Sequence, residues 1–136
     1  MDEALAFAET VRRELAFLID HHGFRIVSES EYLVRLDSET LGAEAMFDPR
    51  GEVGLEVFRL GHEGPRERWS YTGMVGRASV PRLLQIAAEH LQAEEAVLRG
   101  DPAFFDALTR ENQRLSEEWT AYYARKGPRP QTGKLP

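Results

Sequence analysis

The segment Gly42 to Val57 reads as one β-hairpin whose register is written into it, and that register constrains everything on either side. Pro49 fits the second position of a type I turn, and Gly51 supplies the left-handed residue that closes a three-residue loop with a bulge. Asp48 then opposes Glu52, and counting outward pairs Phe47 with Val53, Ala45 with Leu55 and Ala43 with Val57. Every apolar position in that count falls on one face, as the period of two requires. Glu44 lands opposite Glu56 on the other face. Like charges across a ladder are unfavourable by up to about 1 kcal/mol, so a neighbouring arginine or a basic partner should compensate them. Replacing both by glutamine should leave stability nearly unchanged or slightly higher, and a large loss would instead mean that they hold a buried arginine network.

The same parity extends to the flanking strands. With Tyr32, Val34 and Leu36 facing the core, Leu36 pairs with Ala43 and Val34 with Ala45, which sets Arg35 opposite Glu44. On the other side, pairing Val57 with Trp69 and Leu55 with Tyr71 puts Ser70 beside Glu56, with Arg68 diagonal to it. The outer face then carries a row of Arg35, Glu44, Glu56 and Ser70.

Apolar residues from Glu3 to His22 recur at three- and four-residue steps and predict an amphipathic helix ended by Gly23. Five short segments follow: Phe24 to Ser28, Glu31 to Ser38, Gly42 to Asp48, Glu52 to Leu60 and Arg68 to Val75. Ser79 is placed to cap a second helix, Val80 to Arg99. Asp101 and Pro102 start a third that reaches about Arg125. The expected class is α+β: a five-stranded antiparallel meander with an N-terminal helix and two C-terminal helices packed on one face. Residues 1–126 form a single domain in this reading, and the proline- and glycine-rich 127–136 a disordered tail.

Charge is unevenly spread. From Met1 to Asp48 there are 11 acidic and 4 basic residues, from Pro49 to Arg82 4 and 6, and in the remainder 8 and 7. The acidity of the first third repels phosphate backbones, so nucleic acid is not an expected partner, and it attracts a basic protein. The acidic N-terminus lacks the basic start and apolar run of an export signal, and no segment is apolar enough to span a bilayer; the expectation is a cytoplasmic protein with no membrane partner. With no cysteine there is neither a disulfide framework nor a thiolate metal site.

Residues with chemical potential all have plainer explanations. His21, His22, His62 and His90 show no metal-ligand spacing, and His21 and His22 suit the C-terminal dipole of a helix. His90 should border the core. There is no nucleophile elbow, and no glycine-rich loop follows a strand to end in Lys-Ser or Lys-Thr, so neither a catalytic residue nor a cofactor is expected. The third helix carries a stripe of Phe104, Leu108, Leu115, Trp119 and Tyr122, with Asn112 set into it. A core-facing stripe is the plainer reading; the alternative is that so long a helix outruns a typical strand and its aromatic end overhangs the sheet, which would leave Trp119, Tyr122 and Tyr123 as interface anchors.

The stretches Phe17-Leu18-Ile19-Asp20-His21-His22-Gly23-Phe24 and Leu98-Arg99-Gly100-Asp101-Pro102-Ala103-Phe104, flanking the meander from Tyr32 to Leu60, carry a family resemblance. In this order of parts the chain resembles small bacterial α+β immunity proteins encoded beside polymorphic or contact-dependent toxins. The resemblance implies a non-enzymatic inhibitor that occludes a basic effector, often a nuclease, with an acidic surface. Candidate partner-binding residues are Glu29, Glu31, Arg35, Glu39, Glu44 and Glu56, with Trp119, Tyr122 and Tyr123 on the last helix. The rival expectations are a small-ligand or enzymatic domain using the Glu44/Glu56 face, and a homodimer through the last helix.

Overall fold

The computed structural model describes residues 3–124 and Pro130; the expected tail at 127–136 otherwise lies outside the described residues. The chain is α+β. Five antiparallel strands, β1 (Arg25–Glu29), β2 (Leu33–Asp37), β3 (Leu41–Phe47), β4 (Glu52–Arg59) and β5 (Trp69–Met74), form one open sheet in sequence order. Helices α1 (Glu3–Glu14) and α2 (Ala16–His22) precede it, and α3 (Val80–Ala93), α4 (Glu95–Leu98) and α5 (Pro102–Tyr123) follow.

The central hairpin has the register its loop dictates. The Asp48 N–H donates to Glu52 O at 2.7 Å and the Gly51 N–H to Asp48 O at 2.8 Å, with Gly51 at φ 104°. The Arg50 side chain and N–H bond the Asp48 carboxylate and hold its pKa below the usual carboxylate range. Phe47 pairs with Val53, Glu44 with Glu56, Arg35 with Glu44, and Ser70 with Glu56. Alternation then puts Val34, Leu36, Ala43, Ala45, Val53, Leu55, Val57 and Trp69 into the core, where they meet Phe7, Val11, Leu15 and Leu18 from the N-terminal helices and Leu83, Leu84, Ala87 and Leu91 from α3.

Three expectations change. The N-terminal helix breaks at Leu15 (φ −107°, ψ 19°), and the second helix breaks at Glu94 (φ −99°, ψ 73°), so α2 and α4 are separate. Neither break has a proline or glycine; Leu15, Leu18, Leu91 and Val97 around them are all fully buried, so packing overrides helix propensity. Tyr32 does not enter the core: it is exposed at the rim, its ring 6.1 Å from that of Phe47. His90, exposed but stacked on Tyr71 at 4.7 Å, borders the core as expected.

The last helix uses less of its stripe than expected. Its buried residues are Phe105 and Leu108, whereas Phe104 and Leu115 are half-buried. It starts where Gly100 (φ 65°) lies against Leu41 of β3, passes Arg59 of β4, and then packs on the 3-10 turn Pro65–Glu67 just ahead of β5. Thus α5 crosses one end of the sheet in strand order.

Parity also holds for a residue outside the main core. Phe58 shares a face with Glu44 and Glu56, yet it is fully buried, because its ring lies over Gly42, its cross-strand partner. A Cβ on Gly42 would overlap that ring. Gly42→Ala should therefore cost about 2 kcal/mol by overpacking, read as a lower urea midpoint with an unchanged slope. An unaffected midpoint would mean that Phe58 is free to move.

Candidate interaction surfaces

The outer sheet face is organised by Arg68. Its Nη1 donates to both Glu44 Oε1 and Glu56 Oε1, the latter at 3.2 Å, while Nε and Nη2 donate to the Glu63 carbonyl at 3.2 and 3.0 Å. Its guanidinium lies over the Phe58 ring at 4.2 Å. Arg35 covers the same ring at 4.8 Å and pairs with Asp37 at 2.7 Å and Glu63 at 3.0 Å, contacts that raise its pKa against the opposing cost of burial. Phe58 is therefore capped by two cations, each also bound by carboxylates.

Arg68 fills the role that the facing glutamates require. Arg35, although opposite Glu44 in register, turns instead to Asp37 and Glu63. Because the loop 60–68 folds back over the sheet, Glu44 and Glu56 are only 15 and 25% exposed at their side chains. This overturns the expectation that neutralising them is harmless: the pair holds a largely covered guanidinium. Both carboxylates of the pair are thus engaged by Arg68.

The acidic candidates divide into two places. Glu31 lies in the turn between β1 and β2 and Glu39 in the turn between β2 and β3, so they stand at opposite ends of β2, separated by at least the roughly 16 Å of a five-residue strand. Both are exposed. Glu29, beside Glu31, is bound by Arg12 of α1. The β1–β2 end therefore carries Glu29 and Glu31 together, with Glu39 apart from them.

The aromatic candidates cluster at the end of α5. Trp119 stacks on Tyr123 at 5.5 Å and meets Tyr122 edge-on at 5.6 Å, and Tyr123 is 76% exposed. The helix is anchored upstream of them. Asn112 Nδ2 donates to Arg66 O at 2.9 Å, and Arg66 donates to Gln113 Oε1 and Ser116 Oγ at 2.8 and 2.9 Å, which explains the asparagine set into an apolar stripe. Arg59 adds a second tie, with Nη2 3.1 Å from Asp106 and its guanidinium over Phe105.

A shallow cleft of about 290 Å³ between α1, β3 and α3 is lined by Ala6, Phe7, Thr10, Phe47, Val80 and Pro81. Its hydroxyl, that of Thr10, is bonded to Ala6 O at 2.7 Å, so the cleft presents little to orient a polar ligand. Among the described residues no group of three histidine, aspartate or glutamate side chains is placed to hold a metal ion. No described helix is long and apolar enough to cross a membrane.

Sequence reasoning missed Phe58, Glu63 and the full role of Arg68. Phe58 was readable by continuing the count to Gly42 opposite Phe58; Glu63 was not, since nothing in Gly61-His62-Glu63-Gly64-Pro65 says where the loop folds. No family model, characterised protein or solved structure matches the chain.

Removing Arg68 strands two facing carboxylates beneath a loop. Arg68→Met should cost about 2–3 kcal/mol, and adding Glu44→Gln and Glu56→Gln should recover more than half of that. The two glutamine changes in the native background should cost about 1 kcal/mol, by weakening acceptors for a covered cation. Denaturant unfolding of the four proteins measures this cycle; strictly additive effects would show that the three residues do not act together.

Proposed function

We propose that the chain is a non-enzymatic protein-binding domain, an immunity-type inhibitor that neutralises a basic effector in the cytoplasm. The observation that carries this reading is where charge remains unspent. On the sheet face Glu44, Glu56, Asp37 and Glu63 are all engaged by Arg35 and Arg68. In contrast, Asp20, Glu31 and Glu39 are exposed and form no ion pair among the described residues. Exposed single-sign charge raises the rate of encounter with a cationic protein more than it raises affinity, and it disfavours nucleic acid.

In this reading Glu31 at one end of β2 and Glu39 at the other steer the effector, with Glu29 beside Glu31 held by Arg12. Arg35, Glu44 and Glu56 stiffen the sheet behind them and do not contact it. The resemblance to toxin-associated immunity proteins supplies the class of partner.

The test is coexpression with each product of the neighbouring genes. One of them should arrest growth alone and be tolerated with this chain, and the purified pair should lose about tenfold in association rate from low to high salt. Glu31→Lys and Glu39→Lys, made separately because the sites are separate, should show which end of β2 faces the effector. If no neighbouring product is neutralised, or if binding ignores both salt and the two reversals, the reading fails.

A further inference from the structure

The two edges of the sheet are built differently. On β1 the register slips between Ile26 and Ser28, leaving Val27 as a bulge, and charged Arg25 and Glu29 stand at the strand's ends. These devices blunt an edge against pairing. The opposite edge has neither. All six residues of β5, Trp-Ser-Tyr-Thr-Gly-Met, are uncharged and pair with β4 in unbroken register, and no described strand lies on their other side.

The hairpin loop determines which groups this edge presents. Because Asp48 and Glu52 form a hydrogen-bonded pair, the even-numbered residues of β4 bond to β3 and the odd-numbered ones to β5. Trp69, Tyr71 and Gly73 therefore turn their backbone groups inward, and the Val75 N–H bond to Gly51 O at 2.6 Å continues that phase. Ser70, Thr72 and Met74 aim theirs outward.

We propose that β5 pairs antiparallel with β5 of a second copy of this chain, about a two-fold axis at Thr72. Thr72 then opposes Thr72 of the second copy and Ser70 opposes its Met74, giving six backbone hydrogen bonds within a continuous ten-stranded sheet. Threonine pairs are favourable across a ladder, and no like charges meet along these strands.

The helix layer fits the same axis. Leu83 of α3 occupies the space a Cβ on Gly73 would need, and His90 stacks on Tyr71, so α3 runs antiparallel to β5 with Ile86 and Ala87 nearest Thr72. α3 packs on both β4 and β5, so pairing through β5 brings the α3 helices of two copies side by side on one face of the joined sheet. Half-buried Ile86 then meets its own copy, and Arg82 and Glu89, which lie 3.7 Å apart within one α3, share its stripe, so the two-fold axis lets each exchange its partner for that of the second copy.

The end of α5 completes the contact. Having crossed β3, β4 and the turn before β5, the helix runs on in the direction of that edge, and its last turns carry Trp119, Tyr122 and Tyr123. Antiparallel pairing delivers to that edge Met74 and Val75 of the second copy, which are 46 and 40% exposed in the monomer. The aromatic end of α5 thereby gains an apolar counterpart. This association uses the edge opposite β1 and is independent of effector binding.

The native chain contains no cysteine, so a single introduced thiol gives an unambiguous readout. Purified Thr72→Cys should cross-link to a covalent dimer under mild oxidation, since facing hydrogen-bonded residues have Cα atoms about 5.5 Å apart, within disulfide reach. Glu39→Cys, away from this edge, should not. Sedimentation of the cysteine-free chain over about two decades of concentration should show a monomer–dimer equilibrium. Thr72→Pro, which removes an outward N–H that β4 does not use, should abolish the dimer with helix and strand content unchanged by circular dichroism. As a second variant, Arg82→Glu should weaken association about tenfold, and mixing it with Glu89→Arg chains should restore association in the mixed pair, which the Arg82–Glu89 pair within one helix cannot do. A monomer at every concentration overturns the proposal, as does a dimer indifferent to Thr72→Pro and Arg82→Glu, or equal cross-linking through Glu39→Cys. A monomer that gains a strand from another protein at this edge would likewise replace the second copy.

Discussion

The rest of the structure depends on the bulged loop Asp48-Pro49-Arg50-Gly51. With Gly51 in a left-handed conformation and Asp48 bonded to Glu52, the pairing of β3 and β4 is fixed to the residue, and a slip of one would send every core side chain to the other face. That single register propagates outward through β2 and β5 because each neighbouring strand carries its own apolar alternation of compatible phase. It also decides which backbone groups point toward each neighbour, so it governs the free edges as well as the core.

The second consequence of this register is a small apolar site on the nominally polar face. Phe58 against Gly42 is buried without belonging to the main core, and its covering layer consists of Arg35 and Arg68 rather than a helix. Guanidinium groups suit this position, because their planar faces stack on the ring while their edges donate to carboxylates. Facing glutamates that would repel one another in isolation thus become the acceptors that hold the lid. The charges on this face are engaged with one another in holding the lid.

The meander, its registers and the caps at Gly23, Ser79 and Asp101 were legible because each is a local signal: alternation, a left-handed glycine, or a side chain that accepts from the first helical turn. The helix breaks at Leu15 and Glu94 were not legible, since they answer to packing between distant elements. The identity of the compensating cation was half legible. Arg68 could be placed diagonal to Glu56, but the fold of loop 60–68 that presses it onto Glu44 depends on Glu63 and on Asn112 and Gln113 reaching Arg66, contacts separated by up to tens of residues. On α5 the period identified the stripe but not its depth, and Phe105 rather than Phe104 became the buried ring.

Core burial alone does not account for the length of α5. Its two buried residues lie in its first two turns, yet the helix continues for four more, about 33 Å in all. The outer turns are supported locally: Arg114 bridges Glu111 and Glu118, and Gln113 donates to Glu117 at 2.8 Å, each pair contributing a few tenths of a kcal/mol. Arg66 then fixes the middle of the helix to the turn before β5. Held in this way, the helix keeps a direction set by the sheet end it crosses. Rigidity matters because ordering a flexible aromatic segment upon contact would consume much of the energy gained from burying it. In the last turns Trp119, Tyr122 and Tyr123 already pack on one another, at 5.5 to 5.6 Å between ring centroids, so part of that cost is met within the monomer.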